Sequence, residues 1–163
     1  MPDITEENRE RVFMTINSFL SIIVLSLILI SYSGCEEDTS DIPLPFTDFP
    51  DISINLTLPE YQDLRTAGYI YIEGGVRGII IYKESDTNYI AYERNCSFEP
   101  NSACATVDVH SSGFYMVDTC CGSNYNFPDA IPTTGPARSP LRIYETSLSG
   151  STLTIRDESA NGR

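Results

Sequence analysis

The chain has 163 residues, 23 of them acidic against 10 basic, for a formal net charge of −13; 41% are hydrophobic, ten are tyrosine and none is tryptophan. That length bounds one domain with a modest core. With no basic patch there is no surface to follow a phosphate backbone, which excludes a nucleic-acid partner, and anionic lipid would repel the chain as well.

The first element in chain order is an apolar run of 12 residues, Phe19 to Ile30 (FLSIIVLSLILI). It is short for a membrane-spanning helix and has the length of a signal-peptide core. SYSGC follows, with small residues ahead of Cys35. This stretch resembles a bacterial lipobox, which implies that Cys35 is lipidated and becomes the mature N-terminus; Tyr32 stands where leucine is usual. The segment ahead of the run carries Asp3, Glu6, Glu7 and Glu10 against Arg9 and Arg11. An uncleaved N-terminal anchor helix is the alternative, and both readings put the remainder outside the cytoplasm.

Beyond Cys35 the chain reads CEEDTSD and then carries prolines at 43, 45 and 50. Such a stretch is solvated, extended and without regular structure. The acidic run is similar to the surface-export signal of Bacteroidetes lipoproteins. Setting aside the four acids and two bases of residues 1–34 leaves 19 acids and eight bases, a net charge of −11. Membrane attachment therefore falls to the lipid, and the expected location is the bacterial envelope, on the outer membrane facing periplasm or surface. The expected division is 1–34 signal peptide, 35–51 acidic proline-rich tether, 52–157 β domain and 158–163 flexible tail.

From Ile52 the pattern has period two: ISINLTL places Ile52, Ile54, Leu56 and Leu58 on one side. PEYQDLRTAG reads as a loop with one helical turn. YIYIEGGVRGIIIYK reads as two strands joined at Gly74-Gly75, and NYIAYER as a third. ACATVDVH (103–110) and FYMVD (114–118) are strands around the turn Ser111-Ser112-Gly113. CCGSNYNFPDAIPTTGPARSP, with prolines at 128, 132, 136 and 140, reads as loop. LRIYETSL and STLTIRD close the chain as a hairpin at Ser149-Gly150. No helix of three turns fits beyond residue 52, so the fold class is all-β, a small antiparallel sandwich or barrel.

Cys96, Cys104, Cys120 and Cys121 fall within 26 residues, and the only histidine is His110. Four thiols in an oxidising compartment point to two disulfides, and allow three pairings. The loop motifs DTCCGSNY and GPARSPL, behind a base of antiparallel strands, resemble the Rieske iron–sulfur domain from about Ile52 to Ile155. In that family the first loop reads C-x-H and the second C-P-C-H-G-S, with a glycine–proline loop over the cluster. Gly122-Ser123 matches the family's G-S and Tyr125 its following aromatic. The resemblance places ligand positions at Cys96, Phe98, Asp118 and Cys121, so only Cys96 keeps its ligand type. It also implies a Cys104–Cys120 bridge, which leaves Cys96–Cys121 as the second. The alternative pairing is Cys96–Cys120 with Cys104–Cys121.

Two metal readings compete with the bridges. A 2Fe–2S centre on all four thiolates is the alternative cofactor. Adjacent cysteines point apart in extended backbone, however, and a Sec-exported chain does not carry a preassembled cluster. In that reading Ser123 and Tyr125 would hydrogen-bond cluster sulfurs; otherwise they are a turn serine and a core tyrosine. Structural zinc on the same four residues matches poorly, because the spacing is C-x7-C-x15-C-C. His110 reads as a histidine exposed beside a turn. There is no GxSxG, HExxH, P-loop, GxGxxG or DxDxDG motif. The expectation is a non-catalytic accessory or binding module without a cofactor, whose protein partner the sequence does not name. A 2Fe–2S electron-transfer protein is the alternative, and exchange through the vicinal Cys120-Cys121 is a third option.

Overall fold

The structure, a computed structural model, describes residues 44–157. The signal segment 1–34, the lipid-anchor candidate Cys35, the first part of the tether and the tail 158–163 lie outside the described residues.

The described chain is almost entirely β. The strands are β1 (Ile52–Asn55), β2 (Tyr69–Ile72), β3 (Ile79–Lys83), β4 (Tyr89–Glu93), β5 (Val107–Val109), β6 (Tyr115–Asp118), β7 (Asn124–Asn126), β8 (Pro132–Thr134), β9 (Ile143–Ser149) and β10 (Thr152–Arg156). A 3-10 turn (Pro59–Tyr61) runs into one short helix, α1 (Gln62–Thr66). Six strands form one sheet in the order β1-β10-β9-β4-β3-β2, and four form a second in the order β5-β6-β7-β8. Every pairing between these strands is antiparallel.

Strand β3 explains the layering. Ile79, Ile80 and Ile81 are each 0% exposed, so both faces of the strand are covered. Side chains alternate across a strand. Ile79 and Ile81 therefore enter one core with Ile54, Leu64, Ala91, Tyr144, Leu153 and Ile155. Ile80 enters a second core with Tyr92, Cys96, Val107, Met116 and Tyr125. The first core lies within the six-stranded sheet and its helix; the second joins β3 and β4 to the four-stranded sheet.

Three expectations are corrected. The period-two run that opens the domain ends early, since β1 stops at Asn55 and Leu58 is 42% exposed. Asn55 Oδ1 accepts the backbone N–H and the hydroxyl of Thr57, at 3.0 and 2.8 Å, and this local turn outcompetes the sheet ladder. The 103–110 strand is only β5, because Ser102 and Ala105 close tight turns through Ser102 N–H to Glu99 O (2.8 Å) and Ala105 N–H to Ser102 O (3.1 Å). The 120–140 stretch contains β7 and β8. Pro132 is tolerated because β8 is an edge strand, where a missing donor breaks no ladder. Asn126 Oδ1 accepts the Ile131 N–H at 2.8 Å and closes the turn that brings β8 back.

Residues 44–51 have no regular structure, as their prolines require. Phe49 sets its ring edge-on to Tyr144 at 5.0 Å, and Arg142 lies 4.8 Å over the Phe46 ring.

Burial raises the phenol pKa of both Tyr92 and Tyr144, and the Glu93 carboxylate beside Tyr144 raises it further. A proton held more tightly by the folded chain stabilises it below the ordinary tyrosine value of 10.0, and that contribution is lost as the pH climbs past it. A subset of the tyrosines should therefore ionise only as the fold is lost. Tyrosinate absorbance followed beside near-ultraviolet dichroism checks this; one transition near pH 10 with unchanged dichroism would refute it.

Candidate functional site: a buried thiol–carboxylate cluster

Two loops and a cover build the site. The first loop leaves β4: Asn95 makes an isolated bridge to Thr106, and the Cys96 N–H donates to Ala105 O at 3.1 Å. The second is the turn between β6 and β7. Asp118 ends β6, and the Gly122 N–H donates back to Asp118 O at 2.8 Å, which places Cys121 above Asp118. A disulfide joins Cys104 to Cys120, with 16 residues of separation, and so fastens the two loops together.

Between the loops lie two thiols and a carboxylate. Cys96 and Asp118 are fully buried and Cys121 is half-buried. The two sulfurs are 3.7 Å apart and unbonded. Both sulfurs and a carboxylate oxygen of Asp118 lie within 4.8 Å of one another. Asp118 Oδ1 accepts the Cys120 N–H at 2.7 Å, and Oδ2 is 3.5 Å from Cys121 Sγ. Among the described residues no lysine or arginine is paired with Asp118.

Each sulfur has a hydroxyl partner. Cys121 Sγ is 3.1 Å from Ser123 Oγ, and Cys96 Sγ is 3.2 Å from the Tyr125 hydroxyl. Ser97 donates its only hydroxyl proton to Ser139 O at 2.6 Å. Tyr125 must then donate to Ser97 Oγ, 3.0 Å away, so the Cys96 thiol donates to Tyr125. The Phe98 N–H also points at Cys96 Sγ, at 3.4 Å. Burial first, and the Asp118 carboxylate second, push the Cys96 thiol up to about 12. A thiol held protonated in this way is a poor nucleophile, which argues against thiol exchange through Cys96.

The cover is the glycine–proline loop. The Ala137 N–H donates to Ser123 Oγ at 3.1 Å, and Ala137 is buried. Gly135 makes this approach possible. It sits at φ +88°, and a Cβ there would fall 2.5 Å from Ser123 Cα and 2.8 Å from Gly122 O. Gly135→Ala is therefore expected to lower stability by about 2–3 kcal/mol through backbone strain and overpacking. Urea unfolding measures the loss, and faster hydrogen exchange at Ala137 locates it.

Of the residues singled out from sequence, the structure brings Cys96, Asp118 and Cys121 together, with Cys104 and Cys120 bonded beside them. The Phe98 side chain is hydrocarbon packed against the second core, and only its backbone N–H reaches the group, at Cys96 Sγ. His110 is not part of the group. It stacks on Tyr115 at 4.3 Å, and its Nδ1 is 2.9 Å from Ser112 Oγ, within its own turn. Ser97 was not singled out, and only its position between Cys96 and Phe98 marks it in the sequence.

No family model matches the chain, and no curated protein matches it. Solved structures that it is similar to include the plasma-membrane Rieske protein PetC3 from the cyanobacterium Synechocystis PCC 6803, at 19% identity and a TM-score of 0.48, covering 58% of this chain and 92% of that one. A complex of reduced oxygenase and oxidized ferredoxin in carbazole 1,9a-dioxygenase aligns at 18% identity and a TM-score of 0.42, covering 56% and 82%. The ferredoxin of carbazole 1,9a-dioxygenase from Nocardioides aromaticivorans IC177 aligns at 12% identity and a TM-score of 0.41, covering 56% and 86%.

Proposed function

We propose that this chain is an exported, lipid-anchored protein of the bacterial envelope, whose β domain is a Rieske-like scaffold without the two-iron cluster. It serves there as a non-catalytic accessory or binding module. The observation that carries this reading is the Cys104–Cys120 bridge. It joins the two loops where the resemblance implies a bridge, and bridges of this kind form in oxidising compartments. The cover loop, seated on Ser123 through the Ala137 N–H, supports the same reading.

The residues present do not fit a two-iron cluster. Such a cluster takes four ligands. Three donor atoms converge here, and the fourth ligand position that the resemblance implies falls on Phe98, whose side chain offers no donor atom. The resemblance puts Cys96 at a cysteine position and Cys121 at a histidine position, and in a Rieske centre the histidines share one iron and the cysteines the other. The Cys96 and Cys121 sulfurs, 3.7 Å apart, leave no room for two irons between them. A second bridge, Cys96–Cys121, would complete the pair of disulfides expected from the cysteine count; the same separation exceeds the ~2.05 Å of a formed bond. Membrane attachment through lipid on Cys35 and an outer-membrane location belong to the proposal, as does the exclusion of nucleic acid by charge.

The test is the full chain purified from membranes. Fatty-acid label should enter the wild type and be lost in Cys35→Ala. Non-reducing peptide mapping should yield a Cys104–Cys120 pair. Two irons and two sulfides per chain with visible absorption would overturn the reading in favour of electron transfer.

A further inference from the structure

Accepting that the two-iron cluster is lost, a condition this inference rests on, two thiols and a buried carboxylate still converge, and among the described residues no lysine or arginine is paired with that carboxylate. Buried charge is stable when it is paired or coordinates a metal. We propose that Cys96, Cys121 and Asp118 form a site for a single divalent cation of the zinc type, held by two thiolates and one carboxylate, with its fourth position open.

Three features carry this. The first is spacing. Two thiolates on one tetrahedral zinc, each at ~2.3 Å, stand about 3.8 Å apart. The observed sulfur–sulfur distance is 3.7 Å. The second is local chain geometry. Asp118 and Cys121 are separated by two residues, and the turn between them is closed by the Gly122 N–H on Asp118 O at 2.8 Å. Zinc loops use the same two-to-four-residue interval so that one turn presents two convergent donors. Cys96 arrives from the other loop, and the Cys104–Cys120 bridge holds the two loops together.

The third feature is the surrounding shell, which orients and supports ligands in metal sites. Asp118 Oδ1 is fixed by the Cys120 N–H at 2.7 Å, which leaves Oδ2 turned toward the thiols. Hydroxyls of Ser123 and Tyr125 and the Phe98 N–H lie on the sulfurs. Binding would release the two thiol protons to solvent; the Phe98 N–H already faces the Cys96 sulfur, and the Tyr125 hydroxyl would have to turn its proton from Ser97 to the thiolate. Soft sulfur with one hard oxygen in a tetrahedral frame suits zinc better than calcium or magnesium, which take oxygen alone. Because Cys121 is only half-buried, the fourth position can be taken by water or a small ligand.

The test uses the full chain, extracted in detergent under anaerobic conditions without chelator. One zinc per chain is expected. After stripping, cobalt(II) alone should give thiolate-to-cobalt charge transfer with the d–d bands of a tetrahedral site, and zinc alone should displace it. Asp118→Asn is expected to weaken zinc by at least about 10- to 100-fold. Cys121→Ser should halve the charge-transfer intensity, while Asp118→Cys should raise it by half, a gain that misfolding cannot mimic. Recovery of the Cys104–Cys120 peptide pair reports folding in each variant. Equal zinc affinity in wild type and Asp118→Asn would overturn the proposal, as would alkylation of Cys96 and Cys121 at a rate zinc does not change. A Cys96–Cys121 disulfide in the isolated protein would also overturn it, yet leave the cluster-free reading standing. Two irons with two sulfides would overturn both.

Discussion

Glu93→Ala is expected to destabilise the domain by about 3–5 kcal/mol, the scale of stripping a buried group from its partners. Glu93 is 2% exposed, and its carboxylate satisfies four donors. Oε1 accepts the N–H groups of Arg77 (3.0 Å) and Asn95 (2.9 Å); Oε2 accepts the Val76 N–H (2.7 Å) and the Tyr144 hydroxyl (2.6 Å). Alanine leaves all four facing a void. The chain passes close by, since a Cβ at Gly75 would fall 2.2 Å from Glu93 Oε2. The effect should spread to the first cysteine loop, because Arg77 Nη1 and Nη2 hold the carbonyls of Ala103 and Ser102 at 3.0 and 2.5 Å. Glu93→Gln should cost less. Its oxygen can keep Arg77 and Asn95, and the Tyr144 hydroxyl can turn to accept, so only the Val76 N–H faces another donor. Urea unfolding read by tyrosine fluorescence gives both values; equal losses in the two variants would sink this account.

Removing the Cys104–Cys120 bridge should cost about 3 kcal/mol in the chain-entropy model for a loop of this size, given the 16-residue separation. Both cysteines are exposed, so serine at each leaves no buried polar group behind. The cost is thus chiefly the freedom returned to the unfolded chain. Both must be changed together, because a lone Cys120 thiol beside Cys121 could be oxidised into a new bridge. Reductant should bring the wild type down to the double serine variant and leave that variant unmoved. A wild-type curve indifferent to reductant would show that the bridge does not contribute.

Much of the architecture was legible in residue patterns. The strands β2, β3, β4, β6 and the β9–β10 hairpin follow runs of Tyr, Ile and Val between turn residues, where local preference and burial agree. Sequence reading was weakest where a side chain competes with the ladder, as at Asn55, or where a proline sits on an edge, as at Pro132. The loop motifs led to the cysteine cluster, but only folding sets Cys96, 25 residues from Cys121, at 3.7 Å from it. Glu93 is legible by the same alternation. Period two puts it on the same face as the buried Tyr89 and Ala91, so it had to be a charge pointing inward.

Strands β3 and β4 are a shared partition between two separately filled compartments. Ile79 and Ile81 face one and Ile80 the other, so the backbone of β3 stands between the two sets of side chains. Phe98, Cys96 and Cys121 all belong to the same compartment. Substitutions there can change the donor set while the far compartment goes on maintaining the sheet.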